Sequence, residues 1–159
     1  MHTMRLYRWA VVLMLCLISA VVRAQTGAIT ADSLSKPPAT CLATPTGVRY
    51  IILRPGAGLR TQNGARAAVY YQGYLPDGHL FDSTLAPGRP LRVRVGRGEV
   101  IPGWDELLLL LPTGTRVRAW IPANLAYGAN GVRSSDDDSR YLIPPNTDLR
   151  FDLEILPHK

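Results

Sequence analysis

Hydrophobic and polar residues alternate along several short stretches of the chain. The clearest case is residues 149–155 (LRFDLEI), where every second position is apolar. Residues 91–95 (LRVRV) and 116–121 (RVRAWI) show the same period of two. A period of two places successive side chains on opposite faces of a β-strand. These three stretches are therefore predicted to be strands with one buried face.

Two further strands and one helix complete the pattern. Residues 48–53 (VRYIIL) end at a Pro-Gly pair, and residues 67–74 (AAVYYQGY) end at the turn PDGH. The predicted helix has Pro102 in its first turn and acidic residues near its positive end, and residues 112–114 (PTG) end it. About five strands and one short helix predict an α+β fold, in which a curved antiparallel sheet wraps around the helix.

The helix contains five consecutive leucines, residues 107–111. Because one helical turn takes 3.6 residues, all five cannot lie on a single buried stripe. Leu108 and Leu111 are predicted to face the sheet, which leaves Leu107 or Leu110 at least partly exposed. Such a leucine is either an isolated exposed side chain or part of a small apolar patch that contacts unfolded proteins or the N-terminal segment.

The N-terminus follows the pattern of a secretory signal. Arg5 and Arg8 precede an uncharged run of 14 residues, 9–22, and Val22-Arg23-Ala24 offers small residues for cleavage. The pattern predicts a signal peptide over residues 1–24 and export across the inner membrane, with a periplasmic location. A spanning helix needs about 20 apolar residues, so an uncleaved membrane anchor is the less favoured alternative, and a lipoprotein is less favoured still.

The segment that follows the signal differs in composition from the rest of the chain. Residues 25–46 are rich in Thr, Ser, Ala and Pro and show no period, which predicts a flexible tether before a folded domain over residues 47–159. Loss of Cys16 with the signal would leave Cys41 without a partner for an internal disulfide. The tether is too short for a dimerisation domain, so a monomer is expected.

Charge gives little support for a nucleic-acid or membrane partner. The chain has a formal net charge of +6. Removal of the signal takes away three arginines, which leaves about +3 on the mature chain. A small basic β-domain that binds nucleic acid is therefore a disfavoured reading, and no stable membrane insertion is expected.

The usual catalytic and metal-binding patterns are missing from the sequence. His2 belongs to the signal, His79 to a turn and His158 to the terminus, so no Ser/His/Asp set or metal-ligand spacing is formed. The acidic run 136–138 lacks the alternating ligands of a calcium loop, so a solvated loop is favoured over a weak cation site. No cofactor and no metal are expected.

Four motifs suggest chemistry of another kind. They are VYYQGYLPDGHLFDST (69–84), GRGEVIPGWDE (96–106), LAYGANG (125–131) and LIPPNTDLRFDLEIL (142–156), in this order. In these motifs the chain resembles the FK506-binding (FKBP) family of peptidyl-prolyl cis/trans isomerases, secreted bacterial type. The resemblance covers residues 47–157 and implies a half-barrel of antiparallel strands around one short helix, with an apolar pocket between them.

The resemblance also implies the residues of the pocket. Trp104 would form the floor under a proline ring, the Tyr127 hydroxyl and the Ile101 N–H would bind substrate carbonyls, and Asp82 would stand beside Tyr71 at the edge. The residues implied in catalysis are Tyr71, Phe81, Asp82, Ile101 and Tyr127, and those implied in substrate binding are Leu91, Val100, Trp104, Leu142, Ile143 and Phe151.

Three departures from the family pattern bear on specificity. Leu91 stands where the family usually has an aromatic ring, and Pro87 stands where an arginine is often found. The loop 132–141 (VRSSDDDSRY) is several residues longer than in small family members and lies at the rim of the implied site. These changes affect the expected sequence preference and the affinity for FK506-like macrolides more than the basic activity.

The predicted function is acceleration of rotation about X-Pro bonds in exported proteins while they fold. The partners are then proline-containing unfolded or exported polypeptides. The alternative is a non-catalytic chaperone, a holdase, that uses the same pocket to grip apolar peptides. A proline-peptide assay distinguishes the two readings.

Overall fold

The computed structural model of the chain describes residues 36–85 and 88–157. The predicted signal, the first part of the tether, Pro87 and His158 lie outside these residues. The elements in chain order are β1 (Leu42–Ala43), β2 (Arg49–Arg54), β3 (Arg66–Tyr74), β4 (Leu80–Ser83), β5 (Leu91–Arg94), α1 (Pro102–Leu110), β6 (Arg116–Ile121), a 3₁₀ turn (Ala123–Leu125), β7 (Val132–Arg133), β8 (Tyr141–Ile143) and β9 (Leu149–Ile155).

Seven of the strands form one antiparallel sheet in the order β1-β2-β6-β9-β3-β4, and β5 also pairs with β3. The two strands β4 and β5 share one edge of β3, because β5 pairs with its first half and β4 with its second half. Strands β7 and β8 form a separate hairpin. The predicted fold class is confirmed, and the five predicted strands occur within one or two residues of their expected ends.

Alternation along the strands divides the sheet into a face that packs on α1 and a convex face. On β9 the residues Leu149, Phe151, Leu153 and Ile155 are at most 2% exposed and belong to the hydrophobic core. Their partners on β6, at positions 117, 119 and 121, are also buried in this core. The concave face of the sheet and the apolar side of α1 therefore enclose one core.

The helix begins where the sequence predicts and ends one residue early. Leu111 adopts an extended conformation (φ −98°, ψ 140°) and its N–H donates to the Leu107 carbonyl. Leu108 and Leu111 are buried, as predicted. Of the two leucines expected to share the exposed position, Leu107 is completely buried and Leu110 is partly buried, so Leu110 lies at the border of the helix-sheet contact.

The last part of the segment 25–46 is attached to the domain. Strand β1 pairs with β2 through Leu42 and Tyr50. Thr44 is 7% exposed, and its hydroxyl accepts a hydrogen bond from the Val48 N–H at 3.1 Å and donates to Glu106 of α1 at 3.1 Å. The folded unit thus begins a few residues before position 47, because the pairing of β1 with β2 ties this segment to the sheet and the hydrogen bond from Thr44 to Glu106 ties it to the helix.

None of the helices within the described residues is long and apolar enough to cross a membrane.

Candidate active site

Four aromatic rings from four different elements meet between α1 and the sheet. Trp104 of α1 lies 4.8 Å from Tyr71 of β3 and 5.2 Å from Phe151 of β9, measured between ring centroids. Phe81 of β4 lies 5.8 Å from Phe151. All these pairs meet edge to face, an arrangement that favours contact between the positive ring edge and the negative ring face. The structure therefore brings together four of the residues implied by the sequence motifs.

A glycine on β3 makes room for two of these rings. A Cβ atom at Gly73 would lie 2.6 Å from Phe81 Cζ and 2.7 Å from Phe151 Cε1. Real Cβ atoms do not approach ring carbons so closely, so a side chain at this position would push both rings aside. Gly73 is a positioning residue that the sequence reasoning missed. Its only signal was a glycine in the middle of an otherwise regular strand.

Trp104 is held at the base of this cluster. It is 4% exposed, and the preceding Gly103 lies against β6, where a Cβ atom would meet Ile121 Cγ2 at 2.6 Å. The Trp104 Nε1–H has no hydrogen-bond partner within the described part of the chain. The indole therefore contacts its protein neighbours through apolar surface alone.

Asp82 and Tyr71 form a hydrogen-bonded pair at the edge of the cluster. The Tyr71 hydroxyl donates to Asp82 Oδ2 at 2.5 Å, and the Ser83 N–H donates to Asp82 Oδ1 at 2.8 Å. Burial raises the pKa of Tyr71, and the hydrogen bond to Asp82 raises it further. Tyr71 therefore remains a neutral donor, and the carboxylate of Asp82 has a fixed orientation.

Tyr127 lies on the loop after the 3₁₀ turn and is 40% exposed. Backbone hydrogen bonds fix this loop, from Gly128 N–H to the Ala123 carbonyl at 2.8 Å and from Asn146 N–H to the Gly128 carbonyl at 2.8 Å. Burial raises the pKa of Tyr127, and the charge of Asp82 adds to the effect. The Tyr127 hydroxyl therefore stays protonated at neutral pH.

The Ile101 N–H has no hydrogen-bond partner within residues 36–85 and 88–157, whereas the Ile101 carbonyl accepts from the Trp104 N–H at 2.9 Å. The loop before it is folded by Asp105, whose carboxylate accepts from Gly96 N–H at 2.8 Å and Gly98 N–H at 3.1 Å. Asp105 was expected only to favour the helix N-terminus. The structure gives it a second role in positioning the loop that leads to Ile101.

The remaining residues implied by the family resemblance differ in how deeply they are buried. Leu91, Val100 and Ile101 are partly buried against the core, and Ile143 is 2% exposed. Leu142 is 40% exposed, because it points to the opposite side of β8 from Ile143. Leu142 is therefore a surface residue of the hairpin formed by β7 and β8.

The acidic run between β7 and β8 is a hydrogen-bonded surface loop. The Ser139 hydroxyl and N–H both donate to the Asp137 carboxylate, at 2.6 Å and 2.9 Å, and these bonds lower the pKa of Asp137. At the base of the loop, the Arg133 guanidinium lies 3.9 Å from the centre of the Tyr141 ring. No group of three His, Cys, Asp or Glu side chains within the described residues could hold a metal ion.

The two tyrosines give an expected pH dependence for any activity that needs their hydroxyls. An ordinary tyrosine ionises near pH 10. Because the pKa values of Tyr71 and Tyr127 are both raised, kcat/KM is expected to stay constant from neutral pH to about pH 10. The two neutral hydroxyls also contribute to the free energy of unfolding. This contribution is fully present below about pH 10 and is lost as the pH rises through the pKa values of the two tyrosines in the folded protein. A pH-rate profile that falls with an apparent pKa near 9 would contradict this arrangement.

Comparison with known proteins agrees with this geometry. A protein-family model described as FKBP-type peptidyl-prolyl cis-trans isomerase matches residues 58–156. The chain is 38% identical over 111 residues to the peptidyl-prolyl cis-trans isomerase Fkbp12 of Drosophila melanogaster. This match covers 69% of this chain and 96% of that protein. It is also 35% identical over 137 residues to the outer membrane protein MIP of Legionella longbeachae. This match covers 86% of this chain and 54% of that protein.

Among solved structures, the crystal structure of AtFKBP13 superposes with a TM-score of 0.69 at 34% identity. The match covers 75% of this chain and 98% of that chain. The chain thus spans nearly all of the small relatives but about half the length of the larger bacterial ones.

Proposed function

Because the chain belongs to the FKBP-type peptidyl-prolyl cis-trans isomerase family, we propose that it catalyses cis/trans isomerisation of X-Pro bonds in a pocket floored by Trp104. The observation that carries the proposal is the meeting of four aromatic rings beside the hydrogen-bonded pair of Tyr71 and Asp82. The rings offer apolar surface to a proline ring, and the Tyr127 hydroxyl and the Ile101 N–H are the groups proposed to bind the carbonyls on either side of it.

The reaction needs no nucleophile, metal or cofactor. Rotation about the X-Pro bond meets a barrier of about 18–20 kcal/mol, because the planar amide has partial double-bond character. The twisted amide has lost this conjugation and is less polar than the planar one. An apolar pocket therefore binds the twisted form better, and differential binding of this kind lowers the barrier. A thousandfold acceleration requires about 4 kcal/mol.

Each polar group has a distinct task in this account. The Tyr127 hydroxyl donates a hydrogen bond to a substrate carbonyl, and the Ile101 N–H donates to a second one, which together fix the substrate on both sides of the rotating bond. Asp82 is held by Tyr71 and Ser83. Its carboxylate supplies a fixed negative charge at the edge of the pocket, towards which the amide dipole can orient.

The role of Tyr127 can be tested with a matched pair of tyrosines. Tyr127 and Tyr141 are 40% and 39% exposed, and they lie on the loop after the 3₁₀ turn and on β8. We expect Tyr127→Phe to lower kcat/KM for a Leu-Pro peptide about tenfold, because one hydrogen bond contributes about 1–1.5 kcal/mol. Tyr141→Phe should change it less than about twofold, since this ring stacks on Arg133 without using its hydroxyl. The measurement is relaxation of the cis peptide after a solvent jump. Equal effects of the two substitutions would contradict the assigned role.

The proposed substrates are proline-containing segments of exported proteins. The support is the secretory pattern of the N-terminus, together with a relative named an outer membrane protein. We expect the exported chain to start near Gln25 and to remain monomeric. Intact mass of the exported protein decides the first point, since a chain that keeps residues 9–22 would be an anchored form. FK506-like macrolides are proposed ligands of the same pocket, with weaker packing at Leu91 than an aromatic ring would give.

A second candidate function is a holdase. It is favoured by exposed apolar side chains on β4 and β8, where Leu80 is 43% and Leu142 is 40% exposed. A holdase would suppress the aggregation of an unfolded protein without accelerating proline isomerisation. The two measurements on one preparation therefore separate the candidates.

A further inference from the structure

A groove of about 760 Å³ lies beside the convex face of the sheet. Three of its residues, Arg49, Trp120 and Arg150, are direct cross-strand neighbours on β2, β6 and β9. Because side chains alternate along a strand, Trp120 and Arg150 point away from the face that carries Phe151. The groove is therefore distinct from the aromatic cluster.

Arg150 is a buried cation with a shared counter-ion. It is 7% exposed, and its guanidinium lies 3.9 Å above the Tyr74 ring. The Asp152 Oδ1 atom lies 3.7 Å from Arg150 Nη1. The same carboxylate also accepts two hydrogen bonds from Arg118, at 2.7 and 2.8 Å. Burial lowers the pKa of Arg150, and the positive charge of Arg118 contributes in the same direction. Such a cation gains from a further anion.

The remainder of the groove has the same electrostatic character. Lys36 and Arg49 add two exposed cationic side chains to the groove. The groove also contains the carboxylate of Asp148, which accepts a hydrogen bond from the Ala123 N–H at 2.9 Å. Trp120 also lines the groove. It is 7% exposed, and its Nε1–H is buried, so the indole contributes apolar surface to the groove. The prolines at positions 37, 76 and 122 supply apolar surface between these polar groups.

We propose that this groove binds a carboxylate of an acidic peptide segment, with Arg150 and Arg49 as the binding residues. A guanidinium held flat on an aromatic ring presents its N–H groups in the fixed geometry that a carboxylate matches. The volume suits a few residues rather than an inorganic ion. Asp148 in the same groove repels a doubly charged phosphate more strongly than a single carboxylate. Neighbouring apolar side chains of the peptide would lie on the prolines.

The test is binding of a fluorescein-labelled, proline-free peptide, Ala-Glu-Leu-Glu-Ala-Glu-Leu-Gly, to the mature chain at low ionic strength, followed by anisotropy. We expect the wild-type chain to bind this peptide. Arg49→Ser should weaken the binding about tenfold or more, because it removes one charge-assisted hydrogen bond. Arg92→Ser, which removes an exposed arginine on β5, should change the Kd less than about twofold. Proline isomerisation should be unaffected by Arg49→Ser. Amidation of the C-terminus should leave the binding in place, because an acidic segment binds through a glutamate carboxylate, and loss of binding on amidation would overturn the proposal.

Arg150→Gln is the second variant, and circular dichroism reports whether it folds. If it does not, Lys36→Ser with Arg49→Ser decides the question, because both side chains are exposed. The proposal is overturned by the absence of binding at about 1 mM protein, by equal losses with Arg49→Ser and Arg92→Ser, or by equal binding of a peptide with lysine in place of glutamate. Binding to phosphatidylglycerol vesicles without binding to the peptide would also overturn it, in favour of a membrane surface.

Discussion

Phe81→Ala is expected to lower kcat/KM for a Leu-Pro or Phe-Pro peptide about 100-fold. Phe81 supplies one side of the aromatic cluster, with its ring centroid 5.8 Å from that of Phe151. Without this ring, water enters beside the proline and the preference for the twisted amide is reduced. The loss should fall on kcat as well as on KM, because the ring contacts the part of the substrate that rotates.

Tyr70→Ala is the matched control for this substitution. Tyr70 and Phe81 are both half-buried aromatic residues, but Tyr70 points to the convex face, where its hydroxyl donates to the Gly88 carbonyl at 3.1 Å. Its removal deletes a similar apolar area from the opposite side of the sheet. We expect less than about a threefold loss in kcat/KM, which corresponds to about 0.7 kcal/mol of transition-state stabilisation. If both variants lose activity equally, the aromatic cluster is not the site.

The second large effect concerns stability. Leu108→Ala should lower the free energy of unfolding by about 3–4 kcal/mol, because Leu108 is completely buried in the contact between α1 and the sheet. Leu110→Ala should cost about 1 kcal/mol, since Leu110 is only partly buried. Urea denaturation with a common m-value measures both changes. Equal losses would mean that α1 packs with a different side towards the sheet.

Strands with one buried face were predictable from the sequence, whereas the short strands were not. Residues 149–155 alternate over the full length of β9, and the structure gives the same ends. Strand β4 has four residues and β8 has three, too few for a period of two to be distinguished from chance. Phe81 and Ile143 lie on these strands, so only the family resemblance indicated them.

The helix was predictable in position but only partly in orientation. Proline and acidic residues marked its start, and a Pro-Thr-Gly sequence its end. A run of five leucines carries no amphipathic pattern, so the sequence could not decide between Leu107 and Leu110. The sheet decides it, because it reaches Leu107 and leaves Leu110 at the edge of the contact.

Features that depend on long-range contacts were not visible in the sequence. Alternation predicts that Arg150 points to the solvent side of the sheet, and it does so. It is nevertheless buried, because Tyr74 lies beneath its guanidinium and Trp120 and Asp152 are its neighbours on the same face of the sheet. The closeness of Gly73 to two rings is of the same kind, since those rings come from β4 and β9. A one-dimensional pattern contains no information about such neighbours.

The most direct test of the central claim is two-dimensional exchange NMR on a Leu-Pro peptide with a small amount of the mature chain. Uncatalysed isomerisation takes about 10–100 s, so the peptide alone gives no exchange cross-peaks between its cis and trans signals at sub-second mixing times. Cross-peaks are expected to appear when the protein is added, with an intensity that rises in proportion to its concentration. Their absence with a folded protein, at concentrations where the peptide is bound, would contradict the central claim.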